Sequence, residues 1–285
     1  MAGEVRMACL FVKRFDYKAF GLLKMIGKHG TKLKENELPL LEYDDDKHAV
    51  LMPNHDNLQL QLPPKAVFAF LGSEIDHYAQ SQNAKIAANF VSATKSYPIY
   101  LLQLQGTEVC LVQAPVGAPA AVQIFEWLIA YGVKEVISAG SCGVLVDWAE
   151  NSFLIPVEAL RDEGTSYHYL PPARSVSVSR RAVDAIRQTL QAHNLPHHEV
   201  KTWTTDGFFR ETEAKVERRK AEGCQVVEME CAALAACAQM REIVWGGILY
   251  TADTLHDPAN YDGRSWGEDS IAPALQLCLE AVLKI

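Results

Sequence analysis

The sequence predicts an α/β fold, and three observations carry that prediction. Residues 66–71, Ala-Val-Phe-Ala-Phe-Leu, form an unbroken apolar run closed by Gly72, the pattern of a strand covered on both faces. Further along, such runs alternate with helical patterns through Gly-bearing turns, the wiring of strand, loop, helix and strand. A chain of 285 residues, 49% hydrophobic and 22% charged, is also long and apolar enough to bury a sizeable core.

Taken in order, residues 1–64 read as an N-terminal extension with a helix near residues 17–26, a charged loop at 28–37 and an acidic knot at Asp44, Asp45 and Asp46. Pro63-Pro64 ends it, and residues 65–285 form the main domain, with no internal repeat or linker. After the first strand a helix is expected over residues 74–90, then strands near 99–104 and 108–114 around Gly106-Thr107 as a hairpin. Pro115-Val116-Gly117-Ala118-Pro119 turns the chain into a helix over 120–131, closed by Gly132. A strand at 135–139 is expected to end in the loop Gly140-Ser141-Cys142-Gly143. Further strands are expected at 152–157, 199–204 and 244–250, and helices at 180–193, 212–222 and 271–283.

Net charge and cysteines narrow the function. A formal charge of −8 and a pI near 5.6 argue against a phosphate-backbone partner, which needs a basic face, so neither nucleic acid nor a membrane surface is expected. Seven Cys with no Cys-x-x-Cys pair fit free thiols in a reducing compartment, and the cytoplasm is the expected location. Glu4 and Arg6 interrupt the short apolar start, so no signal peptide or membrane span is expected. His193, His197 and His198 cluster beside Pro196 without an acidic ligand, and no metal is expected.

Five stretches can carry chemistry, and one of them, Arg161-Asp162-Glu163-Gly164-Thr165-Ser166-Tyr167-His168-Tyr169, is either a solvated turn or a loop whose Tyr and His line a pocket. Val226-Val227-Glu228-Met229-Glu230-Cys231-Ala232-Ala233 reads as a short apolar strand delivering two carboxylates to the start of a helix made of small residues. The Glu pair serves either as an acidic first turn complementing the helix dipole or as a rigidly held functional pair. Gly140-Ser141-Cys142-Gly143 is either an ordinary turn or a cradle for a small anion at a strand end. In Thr204-Thr205-Asp206-Gly207-Phe208-Phe209-Arg210-Glu211 two aromatics either join the core or offer a stacking face for a flat ligand. Asp253, ending the strand Tyr250-Thr251-Ala252, is either a cap for the next turn or an acid, if its surroundings raise its pKa.

Together, Ala139-Gly140-Ser141-Cys142-Gly143, Val227-Glu228-Met229-Glu230-Cys231-Ala232-Ala233 and Thr251-Ala252-Asp253-Thr254, in that order and spacing, resemble the nucleoside phosphorylase-I superfamily. The resemblance runs from about Val67 to the C-terminus and is strongest to the uridine phosphorylase branch. It implies a three-layer α/β/α fold with a central mixed, partly barrel-like sheet, and homodimers that share active sites and assemble into hexamers. The implied function is phosphorolysis of the N-glycosidic bond of a nucleoside, giving free base and a pentose 1-phosphate, with inorganic phosphate as co-substrate and no other cofactor. The alternatives are a nucleosidase that uses water and a nucleoside-binding protein without activity.

The same resemblance assigns roles. Glu230 and Asp253 are the expected catalytic residues; Glu230 holds the ribose hydroxyls, Met229 lies under the sugar and His55 falls near a ribose-binding position. Phe208, Arg210 and Thr212 are the expected base-binding residues, and Gly72, Ser141 and Lys95 the phosphate-binding ones. Lys95 falls where the uridine branch supplies an Arg from the neighbouring subunit. Two further arginines of that branch are replaced here by Asp76 and Ser138, leaving Arg161 or Arg210 as possible substitutes. Thr212 and Ala214 stand where it carries the uracil-reading Gln and Arg.

Overall fold

The computed structural model describes the backbone of residues 4–6 and the whole of residues 33–285; the helix expected at 17–26 lies outside these. Eleven strands and six helices follow one another as β1 (Glu4–Arg6), β2 (Lys65–Ala69), α1 (Glu74–Ser81), β3 (Lys85–Val91), β4 (Ser96–Leu104), β5 (Thr107–Gln113), α2 (Ala118–Ala130), β6 (Glu135–Val144), β7 (Phe153–Asp162), β8 (Ser175–Ser177), α3 (Arg180–Ala192), β9 (His197–Thr205), α4 (Glu213–Ala221), β10 (Val226–Glu228), α5 (Cys231–Met240), β11 (Val244–Thr254) and α6 (Ile271–Lys284).

Strand β6 is the hub. Its first half pairs in parallel with β2, Lys65 opposite Glu135 and Val67 opposite Ile137, while its last residues pair antiparallel with β10. Its other edge runs parallel to β11. Because β10, β9, β7 and β11 also pair in succession, the five strands β6, β10, β9, β7 and β11 close into a barrel. Strands β2, β5, β4, β3 and β1 continue from β6 as a sheet. The architecture is the α/β fold with a mixed, partly barrel-like sheet. Helices α1, α3 and α6 pack together on one side and α2 against α5 on the other.

Local sequence explains the elements that frame the site. Every residue from Cys231 to Ala238 is buried, so α5 has no polar face, and its Ala and Cys side chains let it lie close to α2 and β7. At the far end of the core, Lys65 donates to the Val282 and Ile285 carbonyls and to Glu135, fixing the end of α6 against β6. Arg241 forks onto both oxygens of Glu126 at 2.8 Å and donates to the Lys47 carbonyl, which ties residues before β2 to the body.

Four expected elements differ. The helix over 74–90 stops at Ser81; Asn83 takes a left-handed φ of 50°, and β3 begins at Lys85. Gly140-Ser141-Cys142-Gly143 is not a loop but the second half of β6, hydrogen-bonded to β11 and, at Gly143, to β10. Likewise β7 runs on through Arg161 and Asp162, and β11 through Asp253.

Candidate active site

Where β2 leaves β6, the barrel opens into a cavity of about 170 Å³ lined by residues of β6, β10, β11 and the loop after β9. Ser141 alone in β6 is exposed, and its side chain lines this cavity. Opposite, the three-residue strand β10 ends at Glu228, and the chain turns through Met229 and Glu230 into α5.

The two glutamates divide the work. Glu228 accepts hydrogen bonds from the Thr202 and Thr204 hydroxyls at 3.1 and 2.6 Å and from the Glu230 and Cys231 amides, both at 2.7 Å. Thr204 in turn accepts from the Ala232 amide at 3.0 Å. The free amides of the first helical turn are thereby satisfied by side chains. Glu230 accepts from backbone amides, those of Gly117 and Met229, and borders the cavity. Burial, with the Glu228 charge adding, pushes its carboxyl up to about 8.

The loop after β9 supplies the next group. Phe208, Phe209 and Arg210 form one turn of 3-10 helix that ends at Glu211. Phe208 and Glu211 both line the cavity, while Phe209 is 91% exposed. Burial pushes the Glu211 carboxyl up to about 7, and the charge of Asp253 adds to the effect.

Asp253 comes from an irregularity in β11. The β6 pairing is regular to Thr251 opposite Cys142 and resumes at Thr254 opposite Val144, so Ala252 and Asp253 sit in a bulge. A bulge re-aims side chains, and this one sets a buried carboxyl into the cavity beside Gly143. A Cβ on Gly143 would come within 2.8 Å of Leu255, 3.0 Å of Val227 and 3.2 Å of Asp253 Oδ1, so only glycine fits there. Burial raises the Asp253 carboxyl, opposed by the Tyr261 hydroxyl and the Arg264 charge.

Glu211, Glu228, Glu230 and Asp253 all line the cavity, and among the described residues no Lys, Arg or His does. Phe70, Val116 and Trp266 complete its walls. Among the described residues no three His, Cys, Asp or Glu come together as a metal site, and no helix is long and apolar enough to cross a membrane.

Of the residues expected from sequence, Ser141, Phe208, Met229, Glu230 and Asp253 are brought together here. Gly72 lies in the turn after β2 with a φ of 57°, two residues beyond Phe70. His55 lines a second, larger cavity of about 680 Å³ with Thr165, His168 and Asp206, its Nδ1 3.0 Å from the Met52 carbonyl. Lys95 sits at the β3–β4 turn and donates to Gln113 at 3.0 Å. Arg210 is exposed, and Thr212 caps α4 by accepting from the Lys215 amide. Arg161 is buried and donates to Ser166 and to the Pro171 and Leu170 carbonyls, so it holds the loop after β7. Glu211 closes the stretch 204–211 singled out in the sequence but was given no role there; the structure puts it in the cavity wall.

A barrel-closed mixed sheet with a carboxylate-lined cavity at β6, β10 and β11 defines the class: the nucleoside phosphorylase and nucleosidase fold. The profile described as Phosphorylase superfamily matches residues 64–284, most of the chain, and the chain belongs to that family of enzymes. Guanosine phosphorylase from Halorubrum lacusprofundi is 25% identical over 209 residues, covering 68% of this chain and 84% of that one. Among solved structures, uridine phosphorylase from Vibrio fischeri ES114 superposes with a TM-score of 0.68 at 19% identity, covering 82% of this chain and 95% of that one. AMP nucleosidase from Bacteroides thetaiotaomicron gives 0.63 at 23% identity, covering 78% and 88%.

Proposed function

We propose that this enzyme is a nucleoside phosphorylase, which transfers the pentose of a nucleoside from its base to inorganic phosphate. The observation that carries the reading is Glu230: a buried carboxyl held at the cavity wall by a turn that Glu228 braces. A buried carboxyl of raised pKa suits ribose hydroxyls, whose O–H groups donate to the ionised form and draw its pKa down.

In the reaction a phosphate oxygen bonds to C1′ as the C1′–N bond breaks, and the bond's electron pair leaves with the base. Glu230 stabilises the positive charge that develops on the sugar, with Met229 packed beneath it. Asp253, whose carboxyl burial shifts toward the protonated form, donates its proton to a base nitrogen and recovers one from solvent. Phe208 stacks on the base. Phosphate lies against Ser141 and the turn at Gly72; Lys95 and His55 reach the site of a neighbouring subunit in a homodimer or hexamer. The name of the Halorubrum relative supports phosphate as acceptor.

A second reading, hydrolysis, is favoured by one observation: among the described residues no cationic side chain lines the cavity, and a phosphate dianion prefers one. Incubating the purified protein with purine and pyrimidine nucleosides, with and without phosphate, decides between them. Base release that requires phosphate supports the first reading; equal release without it supports hydrolysis and overturns the first.

A further inference from the structure

We propose that Tyr261 is a positioning residue for Asp253: its hydroxyl donates to one carboxyl oxygen and so leaves the proton on the other, the one turned to the base. The proposal rests on the reading of Asp253 as the acid of this cavity, and it adds a group outside the cavity wall that aims that acid.

The backbone brings the two side chains together. After β11 the chain doubles back, because Asp257 accepts from the Ala259 amide at 3.1 Å and from the Asn260 side chain at 2.7 Å and so rounds the 3-10 turn Pro258–Asn260. The returning chain pairs antiparallel with the end of β11, the Thr254 amide donating to the Asp262 carbonyl at 2.9 Å. Successive side chains of a strand point to opposite faces. With Thr254 and Asp262 opposite one another on one face of this ribbon, Asp253 and Tyr261 share the other face as a diagonal pair, within reach of a long aromatic side chain. Arg264 fixes the ribbon by donating to the Trp148 and Ala252 carbonyls at 2.8 and 3.4 Å.

The Tyr261 hydroxyl hydrogen-bonds to the Asp253 carboxyl. Asp253 is 5% exposed and lines the cavity, whereas Tyr261 is 52% exposed and is not part of the cavity wall, so it acts on the acid and not on the base. The other titratable groups around the pair come from every neighbouring element. Glu211 after β9 and Cys142 on β6 feel the Asp253 charge, Arg264 draws Asp253 toward the ionised form, and Glu211 and Asp262 act on the Tyr261 phenol. Glu228 and Glu230 line the same cavity, each with its own backbone donors.

The phenol stays protonated, since burial and the Asp253 charge raise it above the ordinary tyrosine value. Donation to one oxygen of Asp253 makes that atom the carbonyl oxygen and puts the proton on its twin. As the C1′–N bond breaks and its electron pair moves to the base, that proton passes from Asp253 to a base nitrogen. The carboxylate left behind keeps the Tyr261 hydrogen bond, which is stronger to an anion than to the neutral acid, and takes a new proton from water once the base has gone. A contact that strengthens as the proton leaves favours the transition state over the bound substrate, so it raises kcat more than it lowers KM.

The experiment measures kcat and KM as functions of pH for the wild type, Tyr261→Phe and Asp253→Asn on the nucleoside that the wild type cleaves fastest. Tyr261→Phe keeps the ring and removes the hydroxyl, and circular dichroism checks that the fold is retained. Because the lost donor favoured the ionised carboxyl, the Asp253 pKa rises, and the alkaline fall in kcat/KM is expected to move up by roughly one pH unit. On the acid side of that fall kcat is expected to drop on the order of tenfold, with KM within about twofold of wild type. Asp253→Asn is expected to lose more and to show no such fall. An unmoved pH profile in Tyr261→Phe, with or without a lower kcat, overturns the proposal, and a disabled Asp253→Asn beside it leaves the acid reading standing. Wild-type turnover in Asp253→Asn, or no cleavage by the wild type, overturns the reading of Asp253 itself and the role of Tyr261 with it.

Discussion

Glu228 holds Glu230 in place: one oxygen of the first carboxylate accepts from the backbone amide of the second residue at 2.7 Å and from that of Cys231 at the same distance. Two acidic residues that look alike in the sequence thus have separate tasks, one finishing a helix start and one facing the cavity.

That division is measurable by stability. Glu228→Ala removes the acceptor for two hydroxyls and two amides in a buried turn, so it should cost about 3 kcal/mol or more in chemical denaturation. Loss of less than about 1 kcal/mol would show that the turn holds without it.

Glu230 works against the fold, and the sign follows from its raised pKa. The folded state keeps the proton up to about pH 8, whereas the unfolded chain releases it near the ordinary carboxylate value of about 4.5. Between these values the folded protein binds more protons than the unfolded one, so this group's contribution falls as pH rises and levels off above 8. Glu230→Gln keeps an acceptor for Gly117 and removes the charge. It should therefore gain stability over the wild type at pH 8, on the order of 4 kcal/mol, and little at pH 4. Denaturation curves at the two pH values check this; a difference independent of pH contradicts it.

Gly143→Ala pushes a methyl group against Asp253, Val227 and Leu255. Because catalysis is sensitive to displacements of an ångström, kcat/KM should fall on the order of a hundredfold. Activity within a few-fold of wild type would mean that the β11 bulge absorbs the methyl group.

Arg161→Lys replaces a three-way fork to Ser166, Leu170 and Pro171 with a single ammonium. The expected result is a loss of about 1–3 kcal/mol with an unchanged KM for phosphate. A raised phosphate KM at unchanged stability would place this arginine in the site instead.

Much of this was legible in the residues. The run at 66–71 announced a strand buried on both faces, and β2 is one; the small residues after Glu230 announced a helix packed all round, and α5 is one. What failed did so for physical reasons. Asn83 ended the first helix through a left-handed conformation, and the residues after it alternate as a strand does. Gly140 and Gly143 looked like turn residues, yet they are paired strand positions, and at Gly143 it is crowding that demands glycine. The aim of Asp253 depends on a register shift between β6 and β11. Sequence periodicity does not encode that shift, because it exists only once both strands have paired.

The central claim is that Glu230 holds the sugar during cleavage. It is tested most directly by kcat/KM of Glu230→Ala against wild type on the nucleoside that the wild type cleaves fastest, with circular dichroism confirming the fold. The account predicts a loss on the order of a hundredfold or more in a folded protein. Turnover within a few-fold of wild type would contradict it.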